Sequence, residues 1–334
     1  MRLIKFSIIL ILLLFGWTFA FADAFNFLDE PWTAIAPATT NTWNDLILTG
    51  TIPSGSTGVV LKVRNTNASD RAYGVRENGS SDNRIGTIFR QGHQYAFIGV
   101  DSNLDFELYH SNNSDITTWV VGYTLDGVNF ITGSSAPAFA MTLTDTWTDL
   151  DITPYTNGDA IGSLWEIVNN SKWGLRKNGS TDNRVTGGVA ANAHNWAIIG
   201  VDTNEICEAN VGKTSTIFYL TGYITKGANF LTNATNYQTA TTGSYQDLDI
   251  TADSNGRAIG AFLEVIETAS PFSDYALRTN GSTEDIFDNL GHKNFNLIKV
   301  DGDEILEQKI GNTDVDTYLF GWTTRGIKAL TLDD

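Results

Sequence analysis

The sequence predicts an all-β protein built as three tandem β-sandwich domains of jelly-roll type, from an internal triplication of about 100 residues. Three observations predict it. A polar eleven-mer recurs, as GVRENGSSDNR (74–84), GLRKNGSTDNR (174–184) and ALRTNGSTEDI (276–286). Apolar residues alternate with a period of two, as strands with one buried face require. After residue 24, no stretch combines helical spacing with capping residues; short runs of Thr, Val, Ile and aromatics are punctuated by Gly and Asn instead.

Taken in order, residues 1–24 read MRLIKFSIILILLLFGWTFAFADA, with Arg2 and Lys5 before an apolar run and two A-x-A patterns at its end. That is the grammar of a secretory signal peptide, although the run is also just long enough for an uncleaved anchor. A secreted, extracellular or cell-surface location follows from it. The expected units are 25–130, 131–230 and 231–334. The first opens on a segment with Phe25, Phe27, Leu28, Trp32 and Ile35 among polar residues, which is expected to hold a first strand able to extend a neighbour's sheet edge.

Within the units, WNDL (43–46), WTDL (147–150) and YQDL (245–248) mark one recurring strand. Another carries Val59, Leu61 and Val63 on one face against Val60 and Lys62 on the other. Its counterparts carry Ser163, Trp165 and Ile167 against Glu166, and Ala261, Leu263 and Val265 against Glu264. Asn78, Asn178 and Asn280 each precede a glycine, a signal for a type I′ hairpin turn with positive φ at both central residues. Each unit closes on Gly-aromatic-x3-Gly, at 122–127, 222–227 and 321–326.

With 21 Lys and Arg against 38 Asp and Glu, the net charge is −17. No basic cluster is present to release counterions from phosphates, so nucleic acid is excluded as a partner. Salt or divalent cations suit such a surface better. The single cysteine, Cys207, cannot pair within the chain, and its two flanking carboxylates are expected to raise its thiol pKa.

A polar set keeps the same beat: Arg76, Arg176 and Arg278; His93, His194 and His292; Asp101, Asp202 and Asp301; Glu107, Glu208 and Glu307. Together with the three asparagines, these are expected to be structural, with each Arg in a fixed ion pair or a domain contact. Ser80, His93 and Asp101 supply the residue types of a hydrolase triad, but no nucleophile elbow surrounds the serine, and no catalytic residue is assigned. No cofactor is expected. Calcium is the candidate metal, with Asp82, Asp182, Asp101, Asp202, Glu107 and Glu208 as oxygen donors. Asn67, Asn112, Asn169 and Asn233 lie in glycosylation triplets, as do the turn asparagines.

The pattern DLDIT…AIG…GLRKNGSTDNR…HNWAIIGVD…FYLTGY resembles a β-domain of uncharacterised secreted, surface and phage structural proteins, over Trp43 to Gly326. The resemblance implies a structural or adhesive role and transfers no catalytic residue. The sequence thus favours a non-enzymatic, self-assembling fibre, surface-layer or adhesin subunit whose partners are copies of itself. A carbohydrate-binding array directed at cell-surface glycans is the alternative, on the strength of nine Trp and eleven Tyr, and a secreted hydrolase the third reading.

Overall fold

The computed structural model describes residues 23–325 apart from 31, 132–135, 170, 188–191 and 269–271. The expected signal peptide therefore lies outside the described residues except for its last two. Among the described residues the fold is all-β: apart from a 3-10 turn at Thr153–Tyr155 and one helical turn at Thr251–Ser254, the regular elements are strands.

The same pairing occurs three times. In unit 1, one sheet runs in the order Phe25–Phe27, Ile116–Thr124, Gly58–Asn65, His93–Gly99, with Ala34–Ile35 also on the second of these. The facing sheet runs Asn44–Ile47, Asp105–His110, Arg71–Glu77, Gly86–Ile88. Unit 2 repeats the first sheet with Val128–Phe130 and Ala138–Ala140 on Ile217–Ile224, then Gly162–Asn169 and Ala193–Gly200. Its second sheet comprises Thr148–Asp151, Ile206–Val211 and Trp173–Lys177. Unit 3 has Ala228–Asn236, Val315–Thr324, Ala258–Glu267 and Lys293–Lys299, facing Gln246–Asp249, Ile305–Ile310, Asp274–Thr279 and Asp288–Asn289. Because Val128–Phe130 and Ala228–Phe230 pair with the sheet that follows them, the units meet near Gly127 and Gly227, a few residues before the expected boundaries.

Inward residues such as Val59, Leu61, Trp165, Ile167, Leu263 and Leu319 are fully buried between the sheets. The alternation predicts polar residues facing solvent on the other side, and here the structure differs. Lys62, Glu166 and Glu264 are 1%, 0% and 0% exposed, because the outer face of each of these strands is covered by the neighbouring unit. Strands His93–Gly99, Ala193–Gly200 and Lys293–Lys299 pack against one another around a common axis. Short parallel bridges link unit 1 to both others, at Thr87 with Ala193 and at Gly92 with Asn289. The three units form a closed ring.

The Asn-Gly turns also differ from expectation. Positive φ occurs at Gly79, Gly179 and Gly281 but not at the asparagines. Ser80, Ser180 and Ser282 each donate a backbone N–H to the carbonyl three residues back, which with a left-handed residue in the third position is a type II turn. The asparagine is there for its side chain, not its backbone.

Candidate interaction sites at the unit junctions

Within each unit the recurring polar residues hold one another. Arg76 makes a bidentate pair with Glu107, at 2.7 and 2.9 Å across adjacent strands, and donates to the Asp82 carbonyl. Arg176 repeats this with Glu208 and the Asp182 carbonyl, and Arg278 pairs with Glu307 and the Glu284 carbonyl. Trp43, Trp147 and Tyr245 stack over the three guanidinium groups. Asn78, Asn178 and Asn280 donate to Asp101, Asp202 and Asp301 at 2.9, 2.8 and 2.7 Å. The other oxygen of each aspartate accepts two backbone N–H groups. The Asn78 amide, together with those N–H bonds, holds the Asp101 carboxyl below its ordinary range.

The calcium donors are thus each engaged: Glu107 and Glu208 by arginine, Asp101 and Asp202 by asparagine, Asp82 and Asp182 by Arg84 and Arg184. Among the described residues, no three His, Cys, Asp or Glu come together as a metal site. Ser80, His93 and Asp101 also part company. The Ser80 hydroxyl accepts from the Asp82 N–H, Asp101 from Asn78, and His93 faces Asp288 of unit 3 at 3.5 Å. Cys207 is fully buried, and burial, more than the neighbouring carboxylates, pushes its thiol up to about 12.

The third histidine is a correction. Register places His93 opposite Arg64, His194 opposite Val168 and Lys293 opposite Ile266, so Lys293, not His292, occupies the recurring position. At each junction that residue lies against an aromatic ring of the preceding unit. His194 lies on Tyr73 at 5.1 Å between ring centroids, the Lys293 ammonium over Trp173 at 4.9 Å, and His93 on Tyr275 at 4.7 Å.

The junctions themselves are built from residues that the repeat pattern left unassigned. Between units 1 and 2, Arg84 donates to Glu166 at 2.6 Å and to Asp82 at 2.8 Å, stacks on Tyr219, and shares Glu166 with His194. Between units 2 and 3, Arg184 holds Glu264 and Asp182 and stacks on Tyr318, while Lys293 reaches the other Glu264 oxygen at 2.8 Å. Between units 3 and 1 the signs reverse: Lys62 pairs with Glu284 at 2.6 Å, and Arg64 makes a bidentate pair with Asp288 at 2.7 Å. The signal was present in the sequence, since the eleven-mers end in Arg84, Arg184 and Ile286 while the facing strand carries Glu166, Glu264 and Lys62.

An aromatic latch accompanies each charged contact. Phe130 of unit 2 lies on Gly58 and Gly99 of unit 1, and Phe230 of unit 3 on Gly162 and Gly200 of unit 2; an added Cβ at any of these glycines would meet the phenylalanine side chain within 2.8 Å. Phe27 of unit 1 lies on Gly260 of unit 3, where Lys299 stands in the place of Gly99 and Gly200 and pairs with Asp29 at 2.8 Å. The segment expected to extend a neighbour's sheet is therefore occupied within its own chain. Phe25–Phe27 and Ala34–Ile35 pair with Ile116–Thr124, and Glu30 accepts from Ser282. Leu28 and Trp32 line a cleft of about 380 Å³ with Tyr95, Arg278 and Glu284; the equivalent space between units 1 and 2 is about 20 Å³.

No protein-family model and no curated protein sequence matches the chain. Among solved structures it is similar to a chain of Sulfolobus Turreted Icosahedral Virus, at 12% identity over 89% of this chain and 86% of that one, with a TM-score of 0.23. It is also similar to a chain from the triple jelly roll fold and turret assembly of an archaeal virus (10% identity, 91% and 90% covered, TM-score 0.26). A third is a chain of the lipid-containing bacteriophage PM2, at 13% identity, 89% and 87% covered, TM-score 0.16. At these TM-scores the likeness is of low specificity, and no residue role is taken from it.

Proposed function

We propose that the chain is an exported, non-enzymatic structural protein, a rigid building block of an extracellular fibre, surface layer or adhesin. One observation carries the reading: the polar residues that recur in every unit are bound to one another or to the next unit, so the chemistry that a catalytic site would use is spent on rigidity. Contacts between chains then fall to the outer sheet edges, because the unit ends meet within the ring. Those edges are the strands Asn44–Ile47, Thr148–Asp151 and Gln246–Asp249, which expose Asp45, Asp149, Asp151, Asp247 and Asp249. Acidic edges repel at low ionic strength, and screening or divalent cations bring them together. Analytical ultracentrifugation and negative-stain microscopy in low salt, high salt and millimolar calcium test this. Salt-dependent assembly into fibres or sheets is expected, and a monomer in all three conditions at high concentration overturns it.

A second reading, glycan binding, rests on the cleft at the closing junction. There the partly exposed Trp32 offers aromatic surface beside the Glu30 and Glu284 carboxylates. A glycan array with the chain and its Trp32→Ala variant separates the two, since binding lost in the variant favours the second reading.

A further inference from the structure

The reversal of charge at the closing junction points to recognition between specific units. Three homologous units present three like pairs of surfaces: an arm following the Asn-Gly turn, and the outer face of the strand carrying Lys62, Glu166 or Glu264. Without further marking, any arm would fit any strand face. The arms of units 1 and 2 carry Arg84 and Arg184 and seat on Glu166 and Glu264. The arm of unit 3 carries Ile286 at that place, and its Glu284 and Asp288 meet Lys62 and Arg64. The second of these pairs has no counterpart elsewhere, because Val168 and Ile266 replace Arg64, and Gly86 and Thr186 replace Asp288.

We propose that this polarity is an address: the strand face of unit 1 accepts the arm of unit 3 and rejects the other two, so the chain closes with all three units and no fewer. Unit 2 closing on unit 1 would bury Arg184 against Lys62 and Arg64. Unit 3 folding back on unit 2, or onto another copy of unit 3, would bury Glu284 against Glu166 or Glu264. Like charges in a site this dry cannot be solvated, and an uncompensated buried charge is among the most destabilising features a fold can contain. The discrimination comes from what is forbidden as much as from what is paired.

The full chain tests the proposal. Lys62→Glu should open the ring, which small-angle scattering reads as a larger radius of gyration. Lys62→Glu with Ile286→Arg rebuilds the polarity of the other two junctions, with Glu284 in the role of Asp82, and should return the radius to that of the parent. After denaturation and refolding, however, the double variant should give a several-fold lower yield of closed single chains, with misjoined and multi-chain species by mass photometry, because only the partly exposed Arg64–Asp288 pair still distinguishes the closing arm from the other two. A Lys62→Glu chain as compact and heat-stable as the parent overturns the proposal. So does a double variant that stays open or unfolded, or one that refolds to single chains as completely as the parent. If Lys62→Glu alone does not fold, the double variant decides.

Discussion

The junction between units 2 and 3 and the junction between units 3 and 1 use equivalent surfaces with exchanged signs, and the exchange has an energetic consequence. At the first, burial pushes the Glu264 carboxyl up, but Lys293 and Arg184 together outweigh it and hold the group below its ordinary range. At the second, burial pulls the Lys62 ammonium down and pushes the Glu284 carboxyl up against their mutual attraction, so desolvation works against the charge at both ends. The cleft beside Glu284 is open, at about 380 Å³, where the equivalent space between units 1 and 2 is about 20 Å³. A carboxylate between two cations tolerates burial; a lone pair of charges tolerates it less well. The Lys62–Glu284 pair is therefore a weaker contact than the Glu264 cluster, and at its junction Arg64 and Asp288 add a second, bidentate pair.

The largest expected effect tests that ranking directly. Glu264→Ala leaves Arg184 and Lys293 without their carboxylate and should cost about 3–5 kcal/mol in urea unfolding. Glu284→Ala strands only Lys62 and should cost less; the reverse order would break the comparison. Next come the latches. Phe230→Ala removes a ring seated on two glycines and stacked on Phe262, and should cost about 3 kcal/mol. Phe27→Ala, facing one glycine and a lysine, should fall below it by the same measurement.

A pH series sharpens the view of the closing seam. Burial lowers the His93 pKa from 6.5 to about 4, and that of His110 likewise to about 4. The unfolded chain binds these protons first, so their contribution to stability is complete above about pH 6.5 and is lost as the pH falls toward 4. Melting temperature should decline across that window, and His93→Asn should flatten the decline; an unchanged slope would remove His93 from the account. The smallest effect belongs to the turns. Gly179→Ala places a Cβ at positive φ for about 1 kcal/mol, and Asn178→Ala should cost about as much through the bond to Asp202.

Period-two alternation and the recurring eleven-mer made the all-β class legible, and the strict spacing of Arg, Asn, Asp and Glu made the pairs within units legible as structural. What stayed hidden was contact between units. Lys62, Glu166 and Glu264 look like ordinary solvent-side residues because alternation reports only which face of a strand is polar, not whether another domain covers it. Matching residues by type brought His292 into line with the other histidines, whereas strand register selects Lys293. Asn-Gly suggested a tight hairpin because propensity ranks backbone conformations and does not see the asparagine side chain reaching across the loop to an aspartate. The differences among the repeats, Arg to Ile and Glu to Lys, were visible from the start; their meaning depended on knowing that the first and last units touch.

The Phe27 latch has a temporal side as well. A chain made from its N-terminus presents Phe27 and Lys62 long before Gly260 and Glu284 exist, and the Lys62–Glu284 pair spans 222 residues. Each internal junction can form as soon as the next unit emerges, but the strand face of unit 1 must wait, with Lys62 and Arg64 still in water, until the third unit has been completed. During that interval Lys62 and Arg64 are an open basic patch on an otherwise acidic chain. The oldest part of the polypeptide is the last to be sealed.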